Sequence, residues 1–262
     1  MAKGVSIRFK SYNETVPKLL DLIKLGSELK KHNKIILKPY LSEDKEKTTP
    51  AAFVEEVLKY CLNNKESSAE VFIAEGADGV DTMDLFEENG YKGLAERYSI
   101  GLIDLNNTEV EEVMNPDFIK FEEINYPRLL LEGFVISLPK LSEDEHLEMI
   151  GASSIMVGAY PSSHYSGLFS SKKSKIKKWP LKYSIHDILL CKNPNLGVID
   201  ASAQGMILAG VPLEMDKQAA RLLGREWKAI GYLKLVDESF LLRAQKEKEK
   251  AGNKEESESK EE

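Results

Sequence analysis

The sequence predicts an α/β protein built on a mainly parallel sheet with helices on both faces. Three observations carry this. Short apolar runs alternate with segments of helical period, and the connections between successive runs are long enough for crossovers. The run Ile35, Ile36 and Leu37 is continuous, as in a strand covered on both sides. Together they describe a Rossmann-like three-layer arrangement in one large domain, for which 262 residues at 42% hydrophobic content supply enough core.

In chain order, Val5, Ile7 and Phe9 alternate with polar residues as a half-buried first strand. Val16, Leu19, Leu20 and Ile23 then recur at helical spacing, with Asn13 or Thr15 as N-cap and Gly26 or Asn33 as the end. The continuous apolar strand stops at Lys38-Pro39. Thr49-Pro50 opens a helix as N-cap and first residue, and Phe53, Val54, Val57, Leu58, Cys61 and Leu62 form its apolar face. The strand over 70–75 ends at Glu75, Gly76 and Gly79 supply a turn, and an acidic helix from Asp81 is closed by Gly90.

A short helix over 91–98 and a strand over 99–105 follow, whereas 115–121 shows no period. A helix over 126–132 leads to a strand over 133–138, which ends at Pro139-Lys140. Ser142 and Glu145 match a capping box, so a helix is expected through about Met156. Residues 158–184 replace the apolar period with Pro, Ser, Gly, Tyr and Lys and read as an irregular basic insertion. Regular structure resumes at 185–190, with a strand over 196–200 and helices over 216–227 and 238–244. The α/β domain thus spans 1–243. Residues 244–262, rich in Lys and Glu without a large apolar side chain, are expected as a charged disordered tail or a frayed helix extension.

A net charge of −7 argues against wholesale wrapping of nucleic acid. Cys61 and Cys191, both in apolar surroundings, supply no disulfide framework and no iron–sulfur or Cys-x-x-Cys metal set. No secretion signal and no run long enough for a bilayer is evident, so a cytoplasmic location and no membrane partner are expected.

The site is expected where open α/β sheets bind ligands, at the carboxyl ends of the strands. Lys38, Glu75 and Lys140 each end a strand, and two ammonium groups beside one carboxylate would hold Glu75 ionised and fix an anionic group. An ordinary ion-pair network accounts for the same three residues. His146, placed one turn into the capped helix, is the candidate general acid or base beside Glu75. His164 and His186 carry less, the second being explained by capping. Asp78, Asp81 and Asp84 offer oxygen ligands to a hard cation, but acidic residues at a helix start explain them more simply, and no metal is assigned. Lys172, Lys173, Lys175, Lys177 and Lys178, beside Tyr165, Phe169 and Trp179, suit a solvated loop, a lid over a phosphate-bearing substrate, or a surface that stacks and neutralises nucleic acid.

Ordered pieces of the chain resemble the domain of unknown function 362 family. They are Ile36-Leu37-Lys38-Pro39, Thr49-Pro50, Ala74-Glu75-Gly76, Gly90-Tyr91, Ile103-Asp104-Leu105, Leu138-Pro139-Lys140-Leu141, the segment from Leu196 to Asp200, and Met215-Asp216 followed by Ala219-Ala220-Arg221-Leu222-Leu223-Gly224. The likeness covers roughly 30–235 and implies little chemistry, since most members have no assigned activity and some carry ferredoxin-like modules. The chain departs from the family pattern after Lys140, where Ser142 to His146 replace a Lys-Thr-His run, near Met156, Val157 and Gly158, and at Val211-Pro212. Gly76, Asp200 and Asp216 lie in the matching pieces and complete the expected ligand-binding set with Lys38 and Lys140.

The sequence therefore leads to an anionic small molecule bound at the strand ends, with catalysis on it left open. Nucleic acid or a phosphorylated partner on the lysine loop, or a catalytically decayed interaction module, are the alternatives. Cofactor, substrate and oligomeric state stay open.

Overall fold

The computed structural model describes residues 4–258, with side chains described through 247. Its strands are β1 (Gly4–Arg8), β2 (Lys34–Pro39), β3 (Glu70–Glu75), β4 (Gly101–Asp104), β5 (Val110–Met114), β6 (Glu123–Pro127), β7 (Phe134–Leu138), β8 (Ser142–Asp144), β9 (Glu148–Ile150), β10 (Leu196–Ala201) and β11 (Met206–Gly210). Seven of them form one sheet in the order β1-β11-β10-β7-β2-β3-β4. The five from β10 to β4 are mutually parallel, while β11 runs antiparallel to both β1 and β10. The ends of β2, β3, β4, β7 and β10 therefore share one edge of the sheet, as the sequence implied.

Alternation along these strands splits the core in two. Ile35, Leu37, Ile73, Phe134 and Ile136 face one layer, and Ile36, Ala74, Val135 and Ile199 face the other. The first layer is α1 (Tyr12–Leu22), α2 (Leu25–Leu29), α3 (Ala51–Asn64), α4 (Thr82–Glu88) and α5 (Tyr91–Tyr98), which contribute Val16, Leu19, Phe53, Val57, Phe86 and Tyr91. After α6 (Arg128–Glu132) and α7 (Ser162–Tyr165), the second layer is built from α8 (Leu181–Cys191), α9 (Pro212–Leu222) and α10 (Gly231–Glu258), through Ile185, Ile188, Met215, Ala219, Tyr232 and Val236. The 244–262 segment begins inside α10, which continues to Glu258. Residues 259–262 fall outside the described part.

Several local expectations give way to tertiary contacts. The helix from Ser142 does not form: Asp144 accepts the backbone N–H groups of His146 and Leu147 at 2.9 Å each, which turns the chain into the β8–β9 hairpin. Leu147 and Met149 then point into the core at strand spacing, and a 3₁₀ segment, Ser154–Ala159, follows. Thr49 does not cap α3. Its hydroxyl donates to Leu138 O at 2.7 Å and accepts Tyr40 N at 3.0 Å, tying the ends of β7 and β2, while Pro50 takes the cap position. Ser11, not Asn13 or Thr15, precedes α1, and the chain breaks at Lys24 in the left-handed region before Gly26. Tyr126 belongs to β6 and only Arg128–Glu132 is helical. The Asp81 carboxylate caps α4 as its position suggested, accepting Met83 N and Asp84 N.

Candidate functional site

β2 and β3 are neighbours, and their carboxyl ends bring Lys38 and Glu75 together in the interior. Lys38 Nζ donates to Glu75 Oε2 at 2.5 Å and to Ile155 O at 2.7 Å. Burial raises the Glu75 pKa, with Lys38 and then Lys173 acting against it. Burial lowers the Lys38 pKa, and the Glu75 charge and hydrogen bond oppose that. The turn after β3 is held by Thr82, whose hydroxyl accepts Ala77 N at 3.1 Å, and by Asn106, whose amide donates to Ala77 O at 2.9 Å.

Across this turn lies the 3₁₀ segment carrying Gly158. A Cβ there would stand 2.1 Å from Glu75 Oε1 and 2.9 Å from Lys38 Nζ, and one on Gly76 would stand 2.5 Å from Gly158 O. Both positions need glycine because a side chain would occupy the space of the ion pair or of the facing backbone. Gly158→Ala is accordingly expected to lower stability by about 1–3 kcal/mol through overpacking, read from urea unfolding. A variant as stable as the native chain would show that the turn yields without displacing the pair.

The third charge comes from the basic insertion. Two of its residues three apart point inward: Lys173 and Ile176 are buried on either side of exposed Ser174 and Lys175, with a 3₁₀ turn over Ser174–Lys177. Lys38, Glu75 and Lys173 are 0, 1 and 1% exposed. Lys173 Nζ donates to Gly76 O at 2.6 Å and Gly158 O at 3.1 Å. Among the described residues no carboxylate lies within ion-pair distance of it. Burial pushes its pKa down to about 8, with the Glu75 charge acting in the opposite direction. The insertion is thereby closed over the strand ends, bounding a cavity of about 330 Å³ lined by Tyr40, Glu75, Asp78, His146, Lys173 and Lys177 among others. At its mouth Lys177 pairs with Asp78 at 2.5 Å, and Lys47 with Asp144 at 2.8 Å.

Glu75, Gly76 and His146 line the cavity together, the last from the hairpin turn and not from a helix, and Lys38 joins Glu75 from outside the lining. It does not bring in Lys140, whose ammonium faces Glu46 at 3.6 Å while its backbone bridges to Asp200. Asp200 lies at the other end of the sheet edge, accepting Tyr12 OH at 2.7 Å and Ser202 N at 3.0 Å. Asp216 is buried beneath the 3₁₀ segment, accepting Ala152 N at 2.6 Å and Ser153 N at 2.8 Å; burial raises its pKa to about 6 against those bonds. It positions the backbone leading to Gly158 and lies outside the cavity lining.

The expectation that all of 172–178 is exposed fails at Lys173 and Ile176. Tyr165 and Trp179 are not presented for stacking either, since both pack on Phe121, with centroids 5.8 and 5.3 Å away, and Phe169 alone of the three is fully exposed. Asp78 and Asp81 are taken by Lys177 and by the cap of α4, and no group of three His, Cys, Asp or Glu among the described residues is arranged to hold a metal ion. His186 does not open a helix; it is buried within α8, bonded to Asp187 Oδ1 at 2.7 Å and Ser239 Oγ at 2.8 Å, and none of these three lines the cavity. Tyr40 escaped the sequence reading, Gly158 was read only as part of a departure from the family pattern, and Lys173 was not told apart from the other loop lysines, although the Lys173-x-x-Ile176 spacing was a visible signal.

Fold and site together define a three-layer α/β protein with a charged cavity at the carboxyl ends of adjacent parallel strands. The family model described as "Domain of unknown function (DUF362)" matches residues 35–211, more than half of the chain, and the chain belongs to that family. The matched region runs from β2 through β11 and contains Lys38, Glu75, Gly158 and Lys173. No curated protein matches the chain. Among the described residues no helix is long and apolar enough to cross a membrane.

Proposed function

We propose that the chain binds an anionic small molecule in the cavity at the ends of β2 and β3, with Glu75 placed to move a proton on it. The observation that supports this is the charge balance of the buried wall. Lys38 and Glu75 compensate one another, whereas the Lys173 ammonium meets two carbonyl oxygens and no carboxylate. A bound phosphate or carboxylate would supply the missing counter-charge in a medium where such a contact is strong. At the mouth the Asp78–Lys177 and Asp144–Lys47 pairs cancel, leaving Lys172 against exposed Glu43. The volume of about 330 Å³ is at the small end of ligand pockets and suits a metabolite of few heavy atoms. His146, exposed and on the lining, is a second group able to exchange protons with such a ligand.

The test is calorimetric titration and thermal unfolding with inorganic pyrophosphate, citrate and small phosphorylated acids. At least one is expected to raise the melting temperature, and Lys172→Ala to weaken its binding about tenfold, the loss of one charged hydrogen bond at the mouth, without changing the melting temperature of the ligand-free chain by more than a degree or two. Failure of every anion to shift the melting temperature, together with native mass spectra showing no retained small molecule, would remove the reading.

A further inference from the structure

The geometry points to Lys173 as a nucleophilic amine that condenses with the carbonyl group of an anionic aldehyde or ketone held in this cavity. The inference rests on the anion-binding reading above and names the class of substrate. Two buried lysines flank the same carboxylate region but stand in different states. Lys38 is committed to Glu75, which fixes its charge and position. Lys173 has two acceptors, Gly76 O and Gly158 O, and no ion-pair partner among the described residues. A neutral amine has two N–H groups and one lone pair. The two carbonyls satisfy both N–H groups, so the lone pair remains unused on the amine of a residue that lines the cavity. Burial favours loss of its proton, the Glu75 and Asp78 charges oppose that, the Lys38 charge adds to it, and the balance brings its pKa to about 8.

The chemistry closes without a further reagent. The Lys173 Nζ lone pair attacks the carbonyl carbon, forming the C–N bond as the C=O π pair moves to oxygen. A proton passes from nitrogen to that oxygen to give a carbinolamine. Its C–O bond then breaks as Glu75 returns to the hydroxyl the proton it took up when the Lys173 ammonium became the free amine, releasing water and leaving a protonated imine and the Glu75 carboxylate. Burial, which raises the Glu75 pKa, favours that uptake, and the Lys38 charge opposes it. The ligand's phosphate or carboxylate meets Lys172, the mouth lysine outside the Asp78–Lys177 and Asp144–Lys47 pairs, so its carbonyl is directed inward.

Incubating the full-length chain with glyoxylate and sodium cyanoborohydride, then locating reduced adducts by peptide mass mapping, tests this directly. Lys173 is expected to be modified at least about tenfold faster than the exposed Lys10 and Lys18, because far more of its amine is neutral near pH 8. The rate should rise with pH through a midpoint of about 8, and excess pyrophosphate should slow it. Lys173→Met should abolish the fast adduct and leave Lys10 and Lys18 unchanged. Modification of Lys173 no faster than Lys10, in a chain whose melting temperature pyrophosphate still raises, overturns the imine and leaves anion binding standing. Slow modification with no pyrophosphate shift removes both.

Discussion

Asp187→Ala is expected to lower the free energy of unfolding by about 3–5 kcal/mol, because one buried carboxylate satisfies several donors at once. Its oxygens accept Ile119 N at 2.9 Å, Lys120 N at 2.8 Å and Phe121 N at 3.2 Å, and bond His186 Nδ1 at 2.7 Å. Alanine leaves three consecutive backbone donors without an acceptor in a part-buried segment that has no secondary structure to absorb them. Phe121 is the hub of the aromatic cluster with Tyr160, Tyr165 and Trp179, at centroid distances of 5.4, 5.8 and 5.3 Å. That cluster backs the insertion bearing Lys173, so the loss should reach the cavity. Urea unfolding measures the total, and amide exchange at Ile119, Lys120 and Phe121 should accelerate more than elsewhere. Asp187→Asn keeps one oxygen and the shape, and should cost about 1–2 kcal/mol. A loss below 1 kcal/mol for alanine, or exchange that accelerates evenly over the chain, would show that the carboxylate does not hold this segment.

What the sequence disclosed and what it hid follow from the range over which each interaction acts. The parallel strands were legible because Ile35, Ile36 and Leu37, and the runs ending at Glu75 and Leu138, are buried on both faces and say so locally. Lys38 and Glu75 were legible as a pair because strand ends in a parallel sheet share an edge. Lys140 meets the same rule and still misses the site, since β2 lies between β7 and β3 and the Lys140 side chain turns toward the 43–47 loop, where Glu46 receives it. The Ser142 and Glu145 pattern satisfied a helix start, but Asp144 offered the same backbone donors a turn, and the burial of Leu147 and Met149 decided for the hairpin. Lys173 was hidden for the opposite reason. Its burial depends on Gly76 and Gly158, far away in sequence, supplying carbonyl oxygens, and a run of lysines by itself reads as a solvated face.

An effect of the same size is expected at Lys38. Lys38→Met should cost about 3–5 kcal/mol at pH 7, since it leaves Glu75 buried without its partner. The penalty should depend on pH with a defined sign. An unfolded Glu titrates near 4.5, whereas burial already raises the folded value and loss of Lys38 would raise it further. Between those two values the native state holds more protons than the unfolded state, so stability falls as pH rises through the window. The deficit of Lys38→Met relative to the native chain should therefore be smaller at pH 4 than at pH 7. Lys38→Met combined with Glu75→Leu removes both charges together and should recover most of the loss, with no comparable pH dependence from this site. Urea unfolding of the two single variants and the double variant at both pH values completes the cycle. If the double variant is as unstable as the sum of the singles at pH 7, the two residues are uncoupled, and Glu75 owes its position to the turn at Gly158 and not to Lys38. If the cycle closes as described, the pair adds little net stability at a strand end facing a cavity, and the proton-moving role proposed for Glu75 would give the charge a use.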